Sequence, residues 1–179
     1  MDKKQLRKSI KAQVALMNRE QKELQSVNVF RYIENSKAFE NSKKVMIFAS
    51  LPDEIPTHEV IKRWSQLKEL YLPRVNGDDI DVVKFSTTDI ETGSYNILEP
   101  TNNDLLDPDE LDLIIVPGVA FDRNGNRCGR GKGFYDRFLA KTHAITIAVC
   151  FDCQLVDELP TEPHDIPAMH IVTNSFKTL

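Results

Sequence analysis

No stretch of this 179-residue chain approaches the roughly 20 consecutive apolar residues that a membrane-crossing helix requires. The first twenty residues, MDKKQLRKSIKAQVALMNRE, lack the apolar centre of a secretory signal, and their charges are mostly basic. A cytoplasmic location is the expectation. Cysteine is scarce: Cys128, Cys150 and Cys153 cannot all pair within the chain, and a reducing compartment would keep them as thiols. An excess of positive charge is missing too. A formal net charge of −4 argues against a general nucleic-acid binder, while leaving room for a local basic pocket. Internal repeats and low-complexity segments are absent, and 41% hydrophobic with 28% charged residues is the composition of an ordinary globular protein. The length fits a single domain, 1–179, with a substantial core.

What is present reads as alternating helices and strands. Leu6, Ile10, Val14 and Met17 fall at helical spacing within 3–24, giving an amphipathic helix with a basic outer side. A second helix is expected at about 26–40, then a buried strand at 45–50, VMIFAS. LPDEIPTHEVIKRWSQLK opens with turn residues and settles into a helix with Val60, Ile61, Trp64 and Leu67 inward. ELYLPRV is a strand closed by Pro73 and the turn NGDD. The polar middle, 78–110, reads as irregular with one short strand near 82–85, and its acidic part, NDLLDPDELD, as a solvated loop and helix start. LDLIIVPG is a strand covered on both faces, followed by the short helix FYDRFLAK and the strands AITIAVC and HIVT. Together these predict an α/β fold of three layers, a mainly parallel central sheet with helices on both faces.

Chemistry concentrates in RCGRGKGFYDRF, residues 127–138, where Gly129, Gly131 and Gly133 alternate with cations. Glycine at that density marks sharp turning or close approach of a ligand. The loop connects a buried strand to a helix, at the sheet edge where anions collect, and Arg127, Arg130 and Lys132 make phosphate its natural occupant. Neither the Rossmann nor the Walker spacing is present. Asp136 could hold Mg²⁺ against nucleotide phosphates, or could pair with a neighbouring cation within its helix. Asp53 and Glu54 follow the strand VMIFAS and should reach the same edge; Asp53 could equally be a helix N-terminal acid. Asp165 lies between two prolines in EPHDIP, where it could bring a second carboxylate to a metal. His164 and His170 read as structural. The C-x-x-C of CFDC could signal redox chemistry or half a zinc site, against the simpler reading of a buried hydrophobe and a bystander.

VPGVAFDRNGNRCGRGKGFYDRFL, residues 116–139, resembles the signature of the 5-formyltetrahydrofolate cyclo-ligase family almost from end to end. KKQLR at 3–7, IFASLPDEIPT at 47–57 and LPTEPHDIP at 159–167 are similar to further family segments in the same order. The resemblance implies ATP-dependent closure of 5-formyltetrahydrofolate to 5,10-methenyltetrahydrofolate with release of ADP and phosphate. It also implies a fold like that of the sugar-phosphate isomerases and coenzyme A transferases. Carried onto this chain, it implies ATP contacts at Lys3, Lys4, Gln5, Leu6 and Arg7 and at Arg127, Gly129, Arg130, Gly131, Lys132, Gly133, Phe134 and Tyr135. Folate contacts are implied at Ala49 and Glu54 and along 130–134, catalytic roles for Arg130 and Lys132, and Mg²⁺ on Asp136 and Asp165. No nucleic acid, membrane or obligatory protein partner is expected. Phe134 stands where many members carry tyrosine, and Met169 replaces an acid common near the last strand. A sugar-phosphate isomerase or coenzyme A transferase, and a binding protein without turnover, are the rival readings.

Overall fold

The computed structural model describes residues 2–92 and 98–179. Helix α1 (Lys3–Ala15) starts at Asp2, whose carboxylate accepts from the Gln5 amide while the Gln5 side chain accepts from the Asp2 N–H. The helix expected over 3–24 is two helices. Asn18 and Gln21 form a second reciprocal cap that starts α2 (Arg19–Glu34), and Leu16 sits exposed in the break. Likewise the helix expected at 26–40 is divided, because the Ser36 hydroxyl accepts from the Phe39 amide and starts the short α3 (Lys37–Asn41).

Strand β1 (Lys44–Met46) leads through the loop carrying Asp53 and Glu54 to α4 (His58–Trp64). Val60, Ile61 and Trp64 are buried as the periodicity requires, but the helix ends before Leu67, which is 61% exposed. The hairpin β2 (Glu69–Asn76) and β3 (Asp79–Lys84) follows. Pro73 does not close its strand. It pairs with Val82 beyond the last β1 partner, Tyr71, so its missing N–H leaves no gap on the β1 side. The polar middle is more ordered than its composition suggests, containing β4 (Ile90–Thr92), β5 (Leu98–Pro100), β6 (Leu105–Leu106) and a single 3₁₀ turn at Pro108–Glu110; residues 93–97 lie outside the described segments.

The remaining elements are β7 (Leu113–Val116), β8 (Ala120–Asp122), β9 (Arg127–Cys128), α5 (Phe134–Leu139), β10 (Ile145–Val149), β11 (Leu155–Val156) and β12 (His170–Val172). The main sheet runs β12-β10-β7-β1-β2-β3-β6, its first five strands parallel and its last two antiparallel. Strand β7 is buried at all four positions because both of its faces are covered. Leu113 and Ile115 join the core beneath α1 to α4; Ile114 and Val116 join the one beneath α5. The layered expectation therefore holds, with α5 the helix on the second face. Order reverses between β1 and β7, and such a switch point opens a crevice beyond the carboxyl ends of the two strands.

Candidate active site

The loop 129–133 owes its position to a rigid hairpin before it. Asp122, wholly buried at the end of β8, accepts from the Asn124, Asn126 and Leu159 amides and from the Asn126 side chain. Gly125, at the turn, has φ +83°, and its carbonyl accepts from the Ala168 N–H at 2.9 Å. A Cβ there would lie 2.2 Å from the Ala168 carbonyl oxygen, so only glycine permits this approach. The hairpin returns the chain through β9 at Arg127. Gly131 and Gly133 then take left-handed conformations, φ +97° and +70°, which turn the backbone into α5. Arg7 on α1 donates to the Gly129 carbonyl at 2.6 Å, and Arg137 donates to the Lys132 carbonyl at 3.0 Å.

A cavity of about 650 Å³ opens at the switch point. Lys3, Arg7, Ala49, Glu54, Arg127, residues 129–136 and Asp165 line it together. Sites implied by four separated sequence segments are thus one place. Lys4, Gln5 and Leu6 do not line it: the first two are exposed and Leu6 is part of the core. The rest of its lining was not legible in the sequence. Pro73, Val75 and Ile80 of the β2–β3 hairpin supply an apolar wall, Glu99 of β5 adds a carboxylate, and Glu162 and His164 form the rim beside Asp165.

Carboxylates hold most of the cations. Arg130 binds Asp53 through two hydrogen bonds, of 2.6 and 3.1 Å, and Glu54 Oε1 through Nη2 at 2.8 Å. Burial opposes the Arg130 charge, but Asp53 and Glu54 outweigh it and raise its pKa further. Burial pushes the Glu54 carboxyl upward; the Leu51 N–H and Arg130 recover part of the shift. Lys3 lies between Asp165 Oδ2 at 2.6 Å and Glu162 Oε2 at 2.8 Å. Burial works against the Asp165 charge, and the Lys3 and Glu162 N–H hydrogen bonds still hold its carboxyl below the usual range. Arg127 is paired with Asp136 at 2.7 Å, yet its Nε is buried without a partner among the described residues. The Tyr135 hydroxyl is likewise buried and unpartnered, and burial raises its pKa above the usual phenol value. Lys132 is exposed, and its side chain makes no ion pair among the described residues.

The donor set suits a hard divalent cation. Asp136 commits Oδ1 to Arg127 and to the Ile166 N–H, and Asp165 commits Oδ2 to Lys3 and to the Glu162 N–H. The other oxygen of each makes no hydrogen bond shorter than 3.5 Å among the described residues, while both side chains line the cavity. One or two carboxylates with phosphate oxygens are the usual surroundings of Mg²⁺. The three groups that converge most tightly are Glu162, His164 and Asp165, without Asp136. The histidines divide: His164 stands 71% exposed at this rim, and His170 is on β12. Cys150 is buried and Cys153 half-buried, both as free thiols. Among the described residues, no helix is long and apolar enough to cross a membrane.

The model of the 5-formyltetrahydrofolate cyclo-ligase family matches residues 1–174. The mouse 5-formyltetrahydrofolate cyclo-ligase is 31% identical, over 92% of this chain and 89% of its own length. The Escherichia coli protein of the same name is 36% identical, over 73% of this chain and 78% of its own. Among solved structures, Aquifex aeolicus 5,10-methenyltetrahydrofolate synthetase superposes with a TM-score of 0.91 at 31% identity, covering 99% of this chain and 92% of that one. A synthetase of that name from Mycoplasma pneumoniae reaches a TM-score of 0.80 at 20% identity, over 98% and 100% of the two chains, and shares the fold. With its signature loop, its cavity and a match along nearly its whole length, the chain belongs to the 5-formyltetrahydrofolate cyclo-ligase family.

Proposed function

We propose that this protein closes 5-formyltetrahydrofolate to 5,10-methenyltetrahydrofolate at the expense of ATP, releasing ADP and phosphate. The observation that carries this reading is one cavity lined both by cations, Lys3, Arg7, Arg127, Arg130 and Lys132, and by apolar side chains, Pro73, Val75, Ile80 and Phe134. A formamide carbon is a poor electrophile, and its oxygen a poor leaving group. Attack of the formyl oxygen on the γ-phosphorus forms a P–O bond, breaks the β–γ bridge and releases ADP. The neighbouring folate amine then attacks the activated carbon, the C–O bond breaks, phosphate departs and the amine loses its proton. Alignment and charge stabilisation are what this chemistry asks of a protein.

The residues divide the task by position. Lys3, Arg7, Arg127 and the loop 129–133 meet the triphosphate, with Arg130 and Lys132 facing the transferred group; Lys4, Gln5 and Leu6 support this wall from α1 without lining it. Glu54 receives the N–H-rich edge of the pterin, Ala49 leaves room beside it, and Phe134 supplies an aromatic face without the hydroxyl common in the family. The free oxygens of Asp136 and Asp165 would hold Mg²⁺, which when bound supplies charge neutralisation of the phosphates. We read the chain as one domain, 1–179, of the sugar-phosphate isomerase and coenzyme A transferase-like kind, supported by its five parallel strands between helical layers. It acts in the cytoplasm without an obligatory protein partner.

Absorbance near the methenyl-folate band, followed while purified protein is mixed with 5-formyltetrahydrofolate and Mg-ATP, tests the reading. The band should grow only in the complete mixture. No growth, with both ligands bound, would leave a binding protein in place of an enzyme.

A further inference from the structure

Asp53 has no role in the reaction as described, yet both of its carboxylate oxygens are bound to Arg130. Its two oxygens accept from Nη2 and Nη1 of Arg130 at 2.6 and 3.1 Å, a forked pairing that fixes the plane of the guanidinium as well as its position. Glu54 makes a different contact with the same group: its Oε1 alone accepts, from Nη2 at 2.8 Å and Nε at 3.3 Å, while Oε2 accepts from the Leu51 N–H. The two acids also differ in placement. Glu54 lines the cavity; Asp53 does not, and lies on the outer side toward Lys11 of α1 at 3.7 Å. A guanidinium has five N–H donors, and these contacts engage four, leaving one on Nη1. Arg130 therefore cannot present a pair of donors to a phosphoryl group while both acids hold it.

Resting on the assignment of Arg130 to the phosphoryl group and Glu54 to the pterin, we propose that Asp53 is the fixed anchor of Arg130 and Glu54 its exchangeable partner. When the pterin N–H groups draw Glu54 away, the Nε and Nη2 hydrogens it held turn to the oxygens of the transferred group. Asp53 meanwhile keeps the guanidinium plane in place. Asp53 is thus a positioning residue: it touches neither substrate, and it links occupation of the folate end to readiness of the phosphate end. Without it, Arg130 would pair with Glu54 alone and occupy the group the pterin needs.

Kinetics of Asp53→Asn, Arg130→Ala and the double variant test this, together with equilibrium binding of a non-hydrolysable ATP analogue. Asp53→Asn is nearly isosteric and should melt within a few degrees of the wild-type protein. Its kcat should fall at least about tenfold, as misplacement of a charge-stabilising donor does. Its KM for 5-formyltetrahydrofolate should rise, but its affinity for the analogue should not weaken, because the substitution removes a negative charge beside the anion loop. In the Arg130→Ala background the same substitution should change kcat by less than twofold. Asp53→Glu, which keeps the charge, should recover part of the rate. A kcat for Asp53→Asn within twofold of wild type, or an undiminished loss in the Arg130→Ala background, would overturn the inference. An Arg130→Ala variant as active as wild type would instead overturn the assignment on which it rests.

Discussion

Gly125 offers the sharpest energetic test, because Gly77 provides its control within the same chain. Both have left-handed φ, +83° and +62°, but a Cβ at Gly77 meets nothing within 4 Å, whereas at Gly125 it would lie 2.2 Å from the Ala168 carbonyl oxygen. Alanine at Gly77 bears only the backbone cost, about 1–2 kcal/mol. At Gly125 the same cost is joined by a forced backbone displacement and weakening of the 2.9 Å Ala168-to-Gly125 hydrogen bond, for a total of about 3–5 kcal/mol. For a protein of this size each kcal/mol moves Tm by about 2–4 °C, so Gly77→Ala should lower Tm by about 2–8 °C and Gly125→Ala by about 6–20 °C. Differential scanning calorimetry of the two variants side by side decides it. The hairpin carries Arg127, so Gly125→Ala should also lose turnover at temperatures where it remains folded. Equal Tm losses in the two variants would refute the claim that backbone approach to Ala168 fixes the hairpin.

Lys132→Ala should raise KM for ATP by about tenfold with Tm unchanged, since it removes a cation that makes no ion pair among the described residues from the anion loop; an unmoved KM would assign Lys132 to the folate side. Asp136→Asn should lower kcat by at least about tenfold and raise the Mg²⁺ concentration needed for half-maximal rate, read from initial rates across a magnesium series; unchanged dependence would remove Asp136 from the metal. Tyr135→Phe deletes a buried hydroxyl with no partner among the described residues, so thermal unfolding of the free protein should show equal or greater stability, by up to about 1–3 kcal/mol; a loss of stability would mean the hydroxyl is satisfied. Burial raises the Glu54 pKa on folding, so its protonated form is favoured in the native state: the associated stability is complete below the unfolded value near about 4.3 and is lost as pH rises through the folded one. Glu54→Gln imitates the protonated form and should therefore raise Tm more at pH 7 than at pH 4, while weakening folate binding; the opposite pH order would contradict the burial argument.

Continuous apolar runs located the parallel strands, which are covered on both faces, and helical spacing located the buried faces of α1 and α4, each of which has one side against the core. It was less informative where a polar residue acts on the backbone. Asn18 divides the first helix through a cap, and nothing in its hydropathy distinguishes that role from a solvated surface position. Leu67 continues the apolar spacing of α4 by three residues, yet the chain has already left the helix. The cationic loop was visible as residue types, and its resemblance to family segments brought Lys3, Glu54 and Asp165 into one site. The ion pairs within that site were not visible: Arg130 with Asp53 and Lys3 with Glu162 join positions 77 and 159 residues apart, a matter of topology alone.

The hydrogen bond between Lys3 and Asp165 spans 162 residues, so one wall of the cavity comes from α1 and another from a loop far along the chain from it. At about 5–20 residues per second, about 8–30 s separate the appearance of the two on a ribosome. Throughout that interval the cationic end of the site lacks its carboxylate rim, and α1 waits for β8 and the turn at Asp152–Gln154 to cover its apolar side. The core is completed no earlier, because β12, which ends the main sheet and buries Ile171 and Val172, follows Asp165 in the chain. Local release of the segment around residues 162–165, which has little buried area of its own, can open the site while the sheet remains intact.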